Sequence, residues 1–163
     1  MFTVAIITLS DKGFKGERED VSGAVIREMM TQAGYTVAEQ ILLNDDKGGL
    51  TRELVRIADN HIADLILTTG GTGFSPRDNA PEATMDAVTR PVPGIAEAMR
   101  MQSLQITKRA MLSRAVSGIR EKTLIVNLPG SPKAVRENLS YILDTLEHGL
   151  AILKGEAGEC ART

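Results

Sequence analysis

Apolar and polar positions along the chain alternate between two kinds of block. Thr3 to Leu9, Tyr35 to Leu43, Ala63 to Thr69 and Thr123 to Leu128 are short runs rich in β-branched and aliphatic residues, and read as strands. Between them lie longer segments with apolar residues every three or four positions. Val21 to Ala33 carries Val25, Met29 and Ala33 in step, with Gly34 suited to end the helix. From about Gly49 to Asn60, Leu50, Leu54, Ile57 and Ala58 share one face. This β-α-β-α-β order with right-handed crossovers predicts an α/β fold, a three-layer α/β/α sandwich around a mainly parallel sheet. The same topology brings Ser10-Asp11, Asn44-Asp45-Asp46 and the glycine-rich stretch after Thr69 to one sheet edge, where such folds bind ligands.

The second half continues with a break at Arg90-Pro91-Val92-Pro93-Gly94 and a helix from about Ile95 to Leu104. A short strand at Ala115-Val116-Ser117 and a charged turn at Arg120-Glu121-Lys122 precede the Thr123 strand. Ser131 suits the N-cap and Pro132 the first turn of a long last helix, with Val135, Leu139, Ile142, Leu143 and Leu146 as its buried stripe. Lys12 to Asp20 reads as a mobile polar loop, and Met99, Met101 and Met111 as core or subunit-interface packing.

At 163 residues the chain suits one domain, taken as residues 1–154 with a loose tail over 155–163. Hydrophobic residues at 42% and charged ones at 25% are those of a soluble globular protein, and no run reaches membrane-spanning length. The apolar N-terminus lacks a basic leader, so the cytoplasm is the expected location, with no membrane partner. A net charge of −2 and no tryptophan speak against a nucleic-acid surface. The single cysteine, Cys160, excludes an intrachain disulfide.

Chemistry concentrates in T-T-G-G-T-G-F-S-P-R-D-N-A-P-E-A-T, Thr68 to Thr84. Gly70, Gly71 and Gly73 permit positive φ and close approach, so that with Thr72 their N–H groups can converge on a phosphate. Pro81 and Glu82 suit a helix start just beyond Asp78. Neither a Walker A loop nor a dinucleotide fingerprint fits. From these residues alone the stretch is either an anion cradle or a glycine turn with Asp78 and Asn79 as caps. The Asn127-Leu128-Pro129-Gly130-Ser131 turn before the last helix is a second possible anion site.

This string closely resembles the signature of the molybdopterin adenylyltransferase family, the MogA/MoaB type shared with the G domain of gephyrin. Ser10-Asp11, Asn44-Asp45-Asp46, Met111-Leu112-Ser113-Arg114 and Asn127-Leu128-Pro129-Gly130 extend the resemblance over nearly the whole chain. It departs at Asn79-Ala80, where the family usually has Val-Thr, and at Asn44, where it often has Pro. The resemblance implies Mg²⁺-dependent transfer of AMP from ATP to the terminal phosphate of molybdopterin, releasing pyrophosphate. It implies that Asp45 and Asp78 are the catalytic and metal-binding pair. Gly70, Gly71, Thr72, Gly73, Asn127, Pro129, Gly130 and Ser131 would hold the nucleotide. Ser10, Asp11, Arg77, Glu82, Ser113 and Arg114 would face the pterin substrate. A homotrimer and a molybdate-insertion partner protein are also implied. A non-catalytic molybdopterin carrier or scaffold, and a nucleotide phosphohydrolase, are the alternative readings.

Overall fold

The computed structural model describes residues 1–156; Cys160 and most of the expected loose tail lie outside them. A six-stranded sheet runs in the order β2-β1-β3-β6-β5-β4. Its strands are β1 (Thr3–Leu9), β2 (Thr36–Leu43), β3 (Leu65–Thr69), β4 (Arg90–Pro91), β5 (Ser117–Arg120) and β6 (Thr123–Leu128). The first four in spatial order are parallel, and β5 and β4 complete one edge antiparallel. The mainly parallel sheet follows from fully buried runs such as L-I-L-T-T in β3 and T-L-I-V-N-L in β6.

Alternation along the strands separates two cores. Val4, Ile6, Leu65, Leu67, Val126 and Leu128 pack against α2 (Val21–Gln32), α5 (Pro93–Leu104) and α6 (Pro132–Lys154). Ala5, Ile7, Leu9, Ile66 and Ile125 face α3 (Lys47–Asp59) and α4 (Ala80–Ala87). Because β1 lies between β2 and β3, the chain reverses its direction across the sheet there. Register sets Leu9 beside Leu43, Thr8 beside Thr69, and Thr69 beside Leu128, so four carboxyl ends open onto one crevice.

Four local expectations change. Lys12 to Asp20 is not all loop: α1 (Asp11–Phe14) is one helical turn, because the Ser10 side chain accepts from the Gly13 N–H. α3 starts at Lys47, with Asp46 as its N-cap accepting from the Gly49 N–H. The strand expected at Ala115 to Ser117 is β5, two residues further on. It forms a tight hairpin with β6 in which Arg120 pairs with Thr123 and Glu121 takes a φ of 51°. The break at Arg90-Pro91 holds an edge strand, a place that tolerates proline's missing donor. Of the methionines at 99, 101 and 111, Met99 is buried in the core, whereas Met101 and Met111 are exposed.

Candidate active site

A cavity of about 680 Å³ lies at the carboxyl ends of β1 and β3, lined among others by Asp11, Asp45, Gly70, Asp78 and Ser131. Three sequence segments meet here through paired backbone and side-chain contacts. The Asp11 N–H donates to Asp45 Oδ2 at 2.9 Å, and the Asp45 N–H donates to Asp11 Oδ1 at 3.0 Å. Arg77, from the loop after β3, donates Nε and Nη2 to the two Asp11 oxygens, each at 2.8 Å. The Arg77 fork and the Asp45 N–H hold the Asp11 carboxyl down at about 2. Asp45 moves the other way: burial raises it, and the charges of Asp11 and Asp78 raise it further against the opposing Asp11 N–H. Asp11 is therefore the fixed anion that anchors the loop, and Asp45 and Asp78 the crowded pair that a cation would relieve.

The glycine loop is shaped by contact as well as by conformation. Gly70 has a φ of 92°, and a Cβ there would sit 2.4 Å from the Leu9 carbonyl oxygen. No L side chain fits that approach of the loop to the end of β1. The Pro129-Gly130 turn closes over it: Thr69 Oγ1 donates to the Pro129 carbonyl at 2.6 Å, and Ser22 Oγ to the Gly130 carbonyl at 2.6 Å. Asp78 is not a helix cap. Its Oδ2 accepts from the Ser75 N–H at 3.0 Å, and the N-cap residue, Asn79, makes no side-chain capping bond.

Arg114 laces the same loop from the far side. Its N–H donates to the Thr72 carbonyl at 2.9 Å, Nε to the Gly73 carbonyl at 2.8 Å, and Nη2 to the Asp78 carbonyl at 2.7 Å. Nη1 pairs with the Glu82 carboxylate in the first turn of α4. Arg114 and Glu82, which the resemblance assigned to the acceptor, are thus engaged with the protein and hold the carrier loop of Asp78. Asn127, expected to frame the nucleotide, is fully buried instead. Its Nδ2 donates to the Thr68 and Thr84 hydroxyls, each at 2.9 Å, and its Oδ1 accepts from the Val116 N–H at 3.2 Å. It joins β3, α4 and the segment after Ser113. Asn127→Leu, similar in size but apolar, is expected to cost about 3 kcal/mol by stranding these groups. A lowered urea midpoint at unchanged slope is the readout.

A second cavity, of about 280 Å³, lies across the loop and takes Thr72, Gly73, Ser113 and Pro129 into its wall. Gly70 and Gly71 face the first cavity and Thr72 and Gly73 the second, so one short loop is a partition between the two cavities. Lys12 and Arg18 also line the first cavity. In the sequence they are two cations of a polar loop, and only the fold of that loop over the crevice gives them a place. A third hollow, between α3 and α4, holds none of the candidate residues, and its Lys47 is already paired with Asp86 at 2.8 Å.

Among the described residues no group of three or more His, Cys, Asp and Glu side chains could hold a metal. The carboxylate pair nevertheless fits Mg²⁺, which takes one or two protein carboxylates and completes its shell with water and substrate phosphate. One oxygen each of Asp45 and Asp78 accepts a backbone N–H, and the other has no protein partner among the described residues.

Residues 5–148 match the family model described as a probable molybdopterin binding domain. The molybdopterin adenylyltransferase of Helicobacter pylori J99 is 36% identical over 154 residues, covering 93% of this chain and 88% of that protein. The crystal structure of the molybdopterin biosynthesis enzyme MoaB from Thermus thermophilus is 47% identical and superposes with a TM-score of 0.90, covering 98% of this chain and all of that one. The tungsten cofactor synthesizing protein MoaB of Pyrococcus furiosus is 34% identical, with a TM-score of 0.83 over 95% of this chain and 96% of that one. The family model and these full-length likenesses agree: the chain belongs to the molybdenum-cofactor biosynthesis family, that of the MogA and MoaB proteins and the matching part of gephyrin.

Proposed function

We propose that this protein is a molybdopterin adenylyltransferase that moves AMP from ATP to the terminal phosphate of molybdopterin. The observation that carries the reading is the shared partition: a loop with one side on each cavity, and Asp45 and Asp78 at the larger one. ATP would occupy the 680 Å³ cavity, its phosphates near the Gly70-Gly71 backbone and the N-terminus of α6, with Lys12 and Arg18 adding positive charge. The acceptor would enter from the Ser113 side. An oxygen of its phosphate attacks the α-phosphorus, the bond to the β-phosphate oxygen breaks, and pyrophosphate leaves. No side-chain nucleophile is needed, so catalysis rests on positioning two polyanions and offsetting their charge. Asp45 and Asp78 would hold Mg²⁺, which supplies charge stabilisation at the phosphates. Arg77, tied to Asp11, and Arg114, tied to the loop carbonyls, keep that pair in place.

Incubation with Mg-ATP and molybdopterin tests the reading. Adenylylated pterin and pyrophosphate in equal amounts support it; pterin bound without turnover supports a carrier, and ATP hydrolysed without pterin a phosphohydrolase.

The same reading includes a homotrimer. Met101 and Leu104 on α5, Ile106 just after it, and Met111 and Leu112 on the short 3-10 helix Lys108–Leu112 are exposed apolar residues. Light scattering at micromolar concentration is expected to give three times the chain mass; a monomer would refute it.

A further inference from the structure

The smaller cavity carries a charged group that the transfer chemistry leaves unused. Glu137, on the second turn of α6, lines this cavity and is half buried, and its carboxylate has no hydrogen-bond or ion-pair partner among the described residues. Two of its polar neighbours are committed, whereas Arg109, which lines the same cavity, is exposed and its guanidinium has no partner among the described residues. Asn138 donates to the Ala134 carbonyl at 2.8 Å and accepts from Ser103 Oγ at 3.1 Å, and Arg100 Nη1 donates to the Ala115 carbonyl at 2.7 Å. Much of the remaining wall is apolar, with Ala96, Met99 and Ala115 buried beneath it. An apolar slot with one unclaimed carboxylate suits a flat ring that presents two adjacent N–H donors, since such a pair makes two charge-assisted bonds to one carboxylate.

We propose that Glu137 is a specificity-determining residue that reads the 2-amino and N3–H edge of the acceptor's pterin ring, an inference that rests on the adenylyltransferase reading above. The assignment also sets polarity. The Glu137 carboxylate repels the acceptor's phosphate and the unpaired Arg109 in the same wall attracts it, so the ring lies toward α6 and the phosphate away from Glu137, where Thr72 and Gly73 form the side of the partition that leads to Asp78. Attack from that end is the direction the transfer needs.

The test is a fluorescence titration of the full chain with two probes, pterin and lumazine, the second of which has a carbonyl where pterin has its 2-amino group. The wild-type protein is expected to bind pterin about tenfold to a hundredfold more tightly than lumazine, the usual worth of hydrogen bonds to a charged group. Glu137→Gln, close in shape, is expected to lose most of that preference while binding ATP as the wild type does in calorimetry. Equal pterin affinity and preference in Glu137→Gln would overturn the assignment, as would a wild-type protein that binds both probes alike, a result that needs no variant to fold. A wild-type protein that binds ATP but neither probe would overturn the adenylyltransferase reading itself, and this inference with it.

Discussion

Asp45→Asn and Asp78→Asn are each expected to lower pterin adenylylation by about a hundredfold or more while leaving the fold intact, because a charge is lost at nearly constant volume. The surroundings of Asp45 say why the fold survives. Burial, with the charges of Asp11 and Asp78, raises its carboxyl above the ordinary value. A carboxylate with a raised folded-state pKa works against stability above that pKa, and the penalty fades as pH falls through it. Asparagine removes the penalty and still offers an oxygen to the Asp11 N–H. Asp45→Asn should therefore unfold at an equal or higher urea midpoint at pH 7, with any gain shrinking in acid. If the two carboxylates act on one Mg²⁺, the double variant is little slower than either single one, since groups that act as a unit are not additive. Near wild-type turnover in well-folded single variants would mean that these aspartates only shape loops.

Arg114→Lys is expected to reduce kcat about tenfold to a hundredfold, the scale of a catalytic group displaced by roughly 1 Å. The guanidinium bonds the Gly73 carbonyl, the Asp78 carbonyl and Glu82 at once, which a lysine ammonium on a flexible stem cannot reproduce in one plane. Arg114 does not line the larger cavity, so the KM for ATP should stay close to that of the wild type. A normal kcat with a raised KM for the pterin would instead return Arg114 to acceptor binding.

The sheet was legible in the sequence because its strands are buried on both faces, which leaves unbroken apolar runs at Thr3, Ala63 and Thr123. The edge hairpin was legible only in outline, as a short strand and a charged turn before Thr123: β5 reads S-G-I-R, with a half-buried arginine, and its limits are set by pairing with β6 rather than by its own pattern. The residues meeting at the crevice were legible as loop ends of a parallel sheet, and the Asp11-Asp45 exchange joins two of the three segments. What each polar side chain does was less visible. Arg114, Glu82 and Asn127 sit in motifs shared with the family, yet their bonds run to backbone and hydroxyl groups of distant segments, and nothing local marks a residue as a strut. Glu137 escaped notice for the opposite reason: it stands in the polar positions of an ordinary amphipathic helix, and only the packing of α5 against α6 turns that position into a cavity wall.

The most direct measurement follows the phosphorus atoms. With ATP labelled at the α-phosphorus, Mg²⁺ and molybdopterin, the label should appear in the pterin product; with ATP labelled at the γ-phosphorus, it should leave entirely as pyrophosphate. Label from the γ-position in the pterin product or in free phosphate, with none carried over from the α-position, would contradict transfer of AMP.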